Sequence, residues 1–361
     1  MIKESKKNQT FVYLYALAIL MVIDDHCSTR AQILSGIFPY NTFYMPLFVF
    51  ASGYFFKQTK LRDGIVHKIK RLYIPYIVYA LIFWAIAAVI DFIFGMRWVP
   101  EINMYTLRTL VFEAPITYLN GASWFVVMLF WVTVIYMCIR TVLKTNKLTD
   151  YILTVLFVIG GCVGIYMCLV YNPLSFVIRF PAKMLFYIQF YHLGYMFRTY
   201  WECLLQKVRK LYVCIFVVLV HSILNIYFGV GIEFYSTEAM TGFWNVYLPV
   251  ITSVLGITFW YEVMEFLAEK IGEVRIVSFI ARNTFVIMQV HLFFICIPKM
   301  YCMIQCRRGV ERFADFPVDE FMTSAWARYD YATGLASFLF GVAGSLMVAY
   351  VIEQVKNKGH K

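Results

Sequence analysis

Apolar residues run along this chain in stretches of about twenty, separated by short charged or Pro-, Gly- and Asn-containing breaks. Stretches of that length predict membrane-crossing helices, because ~20 residues of helix span the hydrocarbon of a bilayer. About ten are expected, over roughly 10–28, 41–57, 73–95, 123–143, 151–171, 183–198, 211–229, 244–265, 283–298 and 332–353. No internal repeat, heptad pattern or low-complexity tract interrupts the series. The prediction is an all-α, polytopic helix bundle: one membrane-embedded domain over residues 1–361, with no room for a separate soluble domain. Lys3, Lys6 and Lys7 ahead of the apolar run Phe11 to Ile23 resemble a signal peptide. The run ends instead in Asp24-Asp25-His26 with no small-residue cleavage site, so it reads as an uncleaved first helix.

Composition agrees with the pattern. The chain is 61% hydrophobic and 15% charged, whereas a soluble domain is about one quarter charged. That excludes an ordinary soluble enzyme and a disordered chain. The net charge of +11 would suggest nucleic acid in a soluble protein, but here it has to be divided by side of the membrane. With ten spans and both termini cytoplasmic, 22 of the 32 Lys and Arg residues fall inside, making the inner face +13 and the outer face −2. The charge is therefore topological, and no nucleic-acid partner is expected. The two longest polar segments, 96–122 and 299–330, are external on this topology. Of the nine cysteines, Cys138, Cys162, Cys168 and Cys214 sit in apolar runs, and no C-x-x-C occurs, so no metal site is predicted.

Few polar residues remain as candidates for chemistry. Asp24, Asp25 and His26 close the first helix, and ionisable groups there face protein or water rather than lipid. His26 suits a general base, Asp25 or Asp24 can orient its ring, and Arg30 lies one turn further on the same face. The alternative is that these residues simply mark the helix's exit from the membrane. Lys57, Lys60, Arg62, Lys68, Lys70 and Arg71 crowd one cytoplasmic loop. Such a cluster suits an anionic ligand such as a nucleotide diphosphate, although topology and anionic lipid also account for it. Ser52-Gly53-Tyr54 allows close helix approach. Trp124 sits where an interfacial anchor is expected. His192, His221 and His291 read as interior histidines, with His291 the best placed for function. Trp98, Trp326, Tyr329 and Tyr331 are aromatic candidates for stacking on a sugar or for anchoring at the interface.

In order and spacing these pieces resemble acyltransferase family 3, the integral-membrane acyltransferases. The first-helix signature of the family ends at His26, the Phe-rich Ser-Gly-Tyr corresponds to Ser52-Gly53-Tyr54, and its Arg-x-x-Arg before Pro corresponds to Lys68, Lys70, Arg71 and Pro75. Trp124, the Gly194-Tyr195 pair, and Thr284 with His291 match later signatures. Three positions depart: Tyr15 replaces an Arg, Lys68 replaces an Arg, and Leu129 replaces a Glu. The chain looks closest to the branch of enterobacterial-common-antigen acetyltransferases and intercellular-adhesin modification proteins.

The resemblance implies an enzyme of the bacterial plasma membrane with no permanently bound cofactor. It would transfer an acyl group, acetyl by default, from acyl-CoA to a glycan or glycolipid hydroxyl. His26, Asp25 and Asp24 would be catalytic; Lys68, Lys70 and Arg71 would hold coenzyme A; Arg30, Ser52, Tyr54, Trp124 and His291 would support the substrate. Between Lys7 and His26 a helix rises ~28 Å, which places His26 towards the outside and the basic cluster at the inner edge. Expected partners are acyl-CoA, the acceptor and membrane lipid; monomer or homo-oligomer is left open. Competing readings are a transporter of glycan or lipid-linked sugar and a non-catalytic partner of a polysaccharide synthase.

Overall fold

A computed structural model describes residues 2–27, 38–143, 145–171, 175–229, 234–235, 240–325, 327 and 329–359. Its helices are α1 (Ile2–Cys27), α2 (Tyr44–Tyr54), α3 (Leu61–Lys68), α4 (Ile74–Phe94), α5 (Met104–Phe112), α6 (Trp124–Val142), α7 (Lys147–Val170) and α8 (Phe176–Met196). They continue with α9 (Glu202–Leu205), α10 (Lys210–Phe228), α11 (Leu248–Ile271), α12 (Arg275–Arg282), α13 (Thr284–Arg307), α14 (Val318–Thr323) and α15 (Asp330–Gly359). Among the described residues the one β feature is a bridge between Tyr235 and Thr241. The protein is an all-α, polytopic membrane bundle, as the apolar pattern predicts.

Helix occupies each of the ten expected places, and among the described residues eight helical stretches are long and apolar enough to cross a membrane. The other two places are α2 and α8. Helix α2 has 11 residues, a rise of only ~16 Å. Helix α8 has the length but buries Arg179, Lys183, Gln189 and His192, which lowers its hydropathy. Helices α3 and α4 are continuous through a π-helical turn, Ile69–Tyr73. Pro75 explains that turn: its ring cannot sit against the carbonyl of Arg71 in a regular α-helix, and the wider π turn makes room.

The chain divides into two compact units. One takes residues 1–18, 33–72 and 128–278; the other takes 19–32, 73–127 and 279–361.

In the first unit the central contact is between α2 and α8. A methyl group at Gly53 would fall on the Tyr191 carbonyl, and one at Gly194 on the Phe50 carbonyl. Each helix thus lays a glycine on the other's backbone, the close approach that small residues permit in membranes. Helix α7 packs on α8 in the same manner through Gly161, against Gln189, and Gly164, against the Ala182 carbonyl.

The crossing brings polar groups together. Arg140, near the end of α6, forms an ion pair with Asp150 at the start of α7, both 1% exposed. The Tyr195 hydroxyl accepts from Arg140 (3.0 Å), and Tyr200 donates to Asp150 Oδ2 (2.9 Å). His192 Nδ1 accepts from the Tyr136 hydroxyl (2.9 Å), and its Nε2 donates to the Asp150 carbonyl (3.0 Å).

A second knot follows another π turn, Phe197–Trp201. Both Tyr54 and Tyr261 donate to the buried Glu202 carboxylate at 3.1 Å.

The second unit gives the segment 96–122 a defined path. The Asp91 carboxylate accepts from the backbone N–H groups of Trp98 (3.1 Å) and Val99 (2.9 Å) near the end of α4. Yet Tyr76, near the start of α4, donates to the Leu110 carbonyl (2.9 Å), and Tyr73 to that of Val111 (3.1 Å). Asp91 and Tyr76 are ~22 Å apart along the helix. The segment between them, including α5, therefore folds back along α4. The two tyrosines hold its returning end against the helix. Glu113, Thr117, Asn120 and Ser123 follow as buried polar residues, the last two in a 3₁₀ segment, Tyr118–Ser123, that packs on α4 and α13.

Helices α13 and α15 pack closely, with Gly344 against the Phe294 ring and Gly341 against Ile295, whose side chain would lie 3.1 Å from a methyl added there. Two further boundaries shift. Lys299, expected in an external loop, lies inside α13, and α8 starts ahead of its expected first residue, Lys183, so that Arg179 lies inside it.

Two outcomes follow from the packing. Gly53→Ala and Gly194→Ala should each lower stability by ~1–3 kcal/mol, as overpacked cores do, read as a lower Tm in detergent. Arg140→Met should cost ~3–5 kcal/mol by stranding Asp150, while adding Asp150→Leu should restore most of the loss. A denaturation series on the single and double variants checks this.

Candidate functional site

Asp24, Asp25, His26 and Cys27 form the last turn of α1. A basic group there meets the negative end of the helix dipole. Asp24 is 8% exposed; Asp25 and His26 are half-buried. Across from them, in mid-α13, lies His291. The two imidazoles stack with centroids 5.3 Å apart and planes inclined by 22°.

The hydrogen bonding of His291 sets its tautomer. Its Nδ1 is 2.9 Å from the Ile287 carbonyl. A carbonyl only accepts, so Nδ1 carries the proton and Nε2 is left as an acceptor. That Nε2 is buried and has no hydrogen-bond partner among the described residues. Lys299, about two turns further along α13, is also buried. Arg30, expected to supply the neighbouring positive charge, lies outside the described residues.

The arrangement is an imidazole pair with two carboxylates in the same helical turn as one of its members. Such a set can take a proton from a hydroxyl and hold it.

The chain matches the family described as Acyltransferase domain, acyltransferase family 3, over residues 13–354. It belongs to this family. The match runs from the first membrane helix into the last, and it makes the protein a multi-pass membrane O-acyltransferase. Comparisons with curated proteins and with solved structures give no match.

The other expected residues of this acyltransferase have various settings. Trp124 shares the second unit, opens α6 and is 7% exposed. Ser52 and Tyr54 belong to the first unit. The Ser52 hydroxyl donates to the Phe48 carbonyl of its own helix (2.9 Å), and Tyr54 is tied to Glu202. Lys68, Lys70 and Arg71 also lie in the first unit, around the π turn; Lys70 and Arg71 are exposed and Lys68 half-buried.

His192 is a hydrogen-bonded interior histidine, as expected. His221 differs: neither ring nitrogen has a partner among the described residues, and its ring packs on Phe38 at 4.5 Å. Trp98 is no sugar platform, for it is 3% exposed and its indole N–H donates to the Phe321 carbonyl at 2.7 Å. Tyr329 donates to Asp315 Oδ1 at 2.7 Å. Trp326 lies outside the described residues, as does the side chain of Tyr331.

Sequence reasoning missed Lys299, Ser123 and Gln289. Pro298-Lys299 looks like a helix end, yet Met300 to Ile304 continue the apolar run and carry the signal that α13 goes on. The Lys299 ammonium donates to the Ala327 carbonyl at 2.8 Å and so ties the chain ahead of α15 to α13. A hydrogen bond from a charged donor contributes ~1.5–3 kcal/mol. Lys299→Met should therefore raise amide exchange around Ala327 by ~10-fold or more, leaving α7 unchanged, as measured by hydrogen–deuterium exchange.

Proposed function

We propose that this acyltransferase moves an acyl group, acetyl in the first instance, from acyl-CoA to a hydroxyl of a cell-envelope or extracellular glycan or glycolipid. Its setting is the bacterial plasma membrane. The observation that carries the reading is the stacked His26–His291 pair in a chain of this family. His26 removes the acceptor's hydroxyl proton as the oxygen attacks the thioester carbonyl. The C–S bond breaks, the ester forms, and coenzyme A leaves as thiolate and takes up a proton. Asp24 and Asp25, two and one residues before His26, orient the base. His291 backs its ring, and Arg30 and Trp124 belong to the acceptor's surroundings.

Lys68, Lys70 and Arg71 hold the phosphates of coenzyme A through charge-assisted hydrogen bonds. The exposure of Lys70 and Arg71 supports this role. The π turn that carries them is a distortion often found at functional positions. Ser52 and Tyr54 serve as supports for the packing behind this region. No permanent cofactor enters the reaction.

The test is transfer of labelled acetyl from acetyl-CoA by the purified protein, with mass spectrometry of envelope glycans from cells with and without it. A general base contributes ~10²–10⁴-fold. His26→Ala should lose that factor and keep its affinity for coenzyme A, while Lys68→Ala/Arg71→Ala should lose the affinity. Transfer at the parent rate by His26→Ala overturns the mechanism. Failure of the parent to bind coenzyme A favours a transporter or a non-catalytic partner.

A further inference from the structure

The segment that follows α5 meets α13 at two buried amides, each with its oxygen facing a hydroxyl. Gln289 and Asn120 are both 0% exposed. The Ser123 hydroxyl donates to Gln289 Oε1 at 2.5 Å, and the Thr117 hydroxyl donates to Asn120 Oδ1 at 3.3 Å. With each oxygen engaged, each NH₂ group is turned to the other side. Neither Asn120 Nδ2 nor Gln289 Nε2 has a hydrogen-bond partner among the described residues. The two side chains belong to one contact region: Ser123 is bonded to Gln289, and a methyl at Gly121 would lie 3.6 Å from Leu292. Asn120 also interrupts the 3₁₀ segment, at φ −128° and ψ 28°.

Buried amide donors without acceptors are costly, and more so where no water can reach them. A pair held in that state by two hydroxyls is suited to a ligand that brings acceptor oxygens. The donors are neutral, which disfavours phosphate, the natural partner of Lys and Arg. The free atoms at the two amides only donate, so a carbonyl oxygen fits them better than a sugar hydroxyl, which also has a proton to place. The arm of an acyl-CoA carries such oxygens, in its pantetheine amides and in its thioester.

We infer that the amide groups of Asn120 and Gln289 form a carbonyl-binding site for the arm of the acyl-CoA donor, with Ser123 and Thr117 as positioning residues. The inference rests on the acyl-CoA reading above and deepens it.

The test uses the full chain in lipid nanodiscs and compares the parent with Ser123→Ala/Gln289→Met and, on the other element, Asn120→Leu. The first variant replaces a buried polar pair with apolar groups of similar shape. Such a change leaves ligand-free stability level or raises it when the polar group was unsatisfied. The expected result is an unchanged or higher Tm, together with a 10-fold or greater loss of affinity by isothermal titration with coenzyme A and acetyl-CoA. Asn120→Leu should lose affinity likewise. Equal loss for both ligands assigns the site to a pantetheine amide; loss for acetyl-CoA alone assigns it to the thioester. Unchanged affinity for both ligands in both variants overturns the site while leaving the acyl-CoA reading in place. A parent that binds neither ligand overturns that reading, and the site with it.

Discussion

Within a bilayer a polar side chain has no water to fall back on, so a buried one is costly unless it is matched inside the protein. In the first unit several charged groups are matched in networks. Arg140 meets Asp150, Tyr195 and Tyr200 share the pair, and His192 closes the network towards Tyr136. Nearer the surface the half-buried Lys210 meets Glu265 and the exposed Glu269, while the buried Glu202 takes the hydroxyls of Tyr54 and Tyr261. These knots are possible because Gly53 and Gly194 let α2 and α8 run close together. A glycine crossing gains little from burial when lipid is as apolar as the side chains it replaces. Its gain lies in backbone contact and in the polar bonds that this contact brings within reach.

The second unit leaves several neutral polar atoms unmatched on and beside α13. His291 Nε2, Gln289 Nε2 and Asn120 Nδ2 are buried without partners among the described residues. Lys299, on the same helix, is instead engaged, holding the Ala327 carbonyl. Along α13 the difference separates scaffold from site by a physical criterion. A satisfied charge such as Lys299 secures the fold, whereas the unpartnered atoms of Gln289 and Asn120 are the ones to which the proposed carbonyl site is assigned. One histidine of the stacked pair and one of the two amides lie on α13, so the proposed base and the proposed carbonyl site share that helix.

Proline and glycine signals in the sequence had meanings that only packing could settle. Pro75 was legible as part of a basic motif, and the structure adds that it forces the π turn carrying Lys70 and Arg71. Pro298 looked like a terminator, but α13 passes through it, since the apolar run beyond continues to be covered by its neighbours. Ser52-Gly53-Tyr54 read as a place of close helix approach, to which the family resemblance added substrate support. In the structure the serine bonds its own helix, the glycine admits α8, and the tyrosine donates to Glu202.

The sequence alone determined the class of the protein, because about twenty consecutive apolar residues have one stable arrangement in a membrane. The same physics made His26 conspicuous, since an ionisable cluster at the end of such a helix needs a reason. It could not reveal that residues 99–111 return along α4, because Tyr73 and Tyr76 meet the carbonyls of Val111 and Leu110 at separations of 38 and 34 positions, and no local periodicity encodes that distance. Nor could it pair His26 with His291, or Ser123 with Gln289, 166 positions apart in the second case. Local hydrophobicity decides which segments enter the membrane. Which polar groups then find one another, and which are left waiting, depends on helix packing that only the tertiary structure sets.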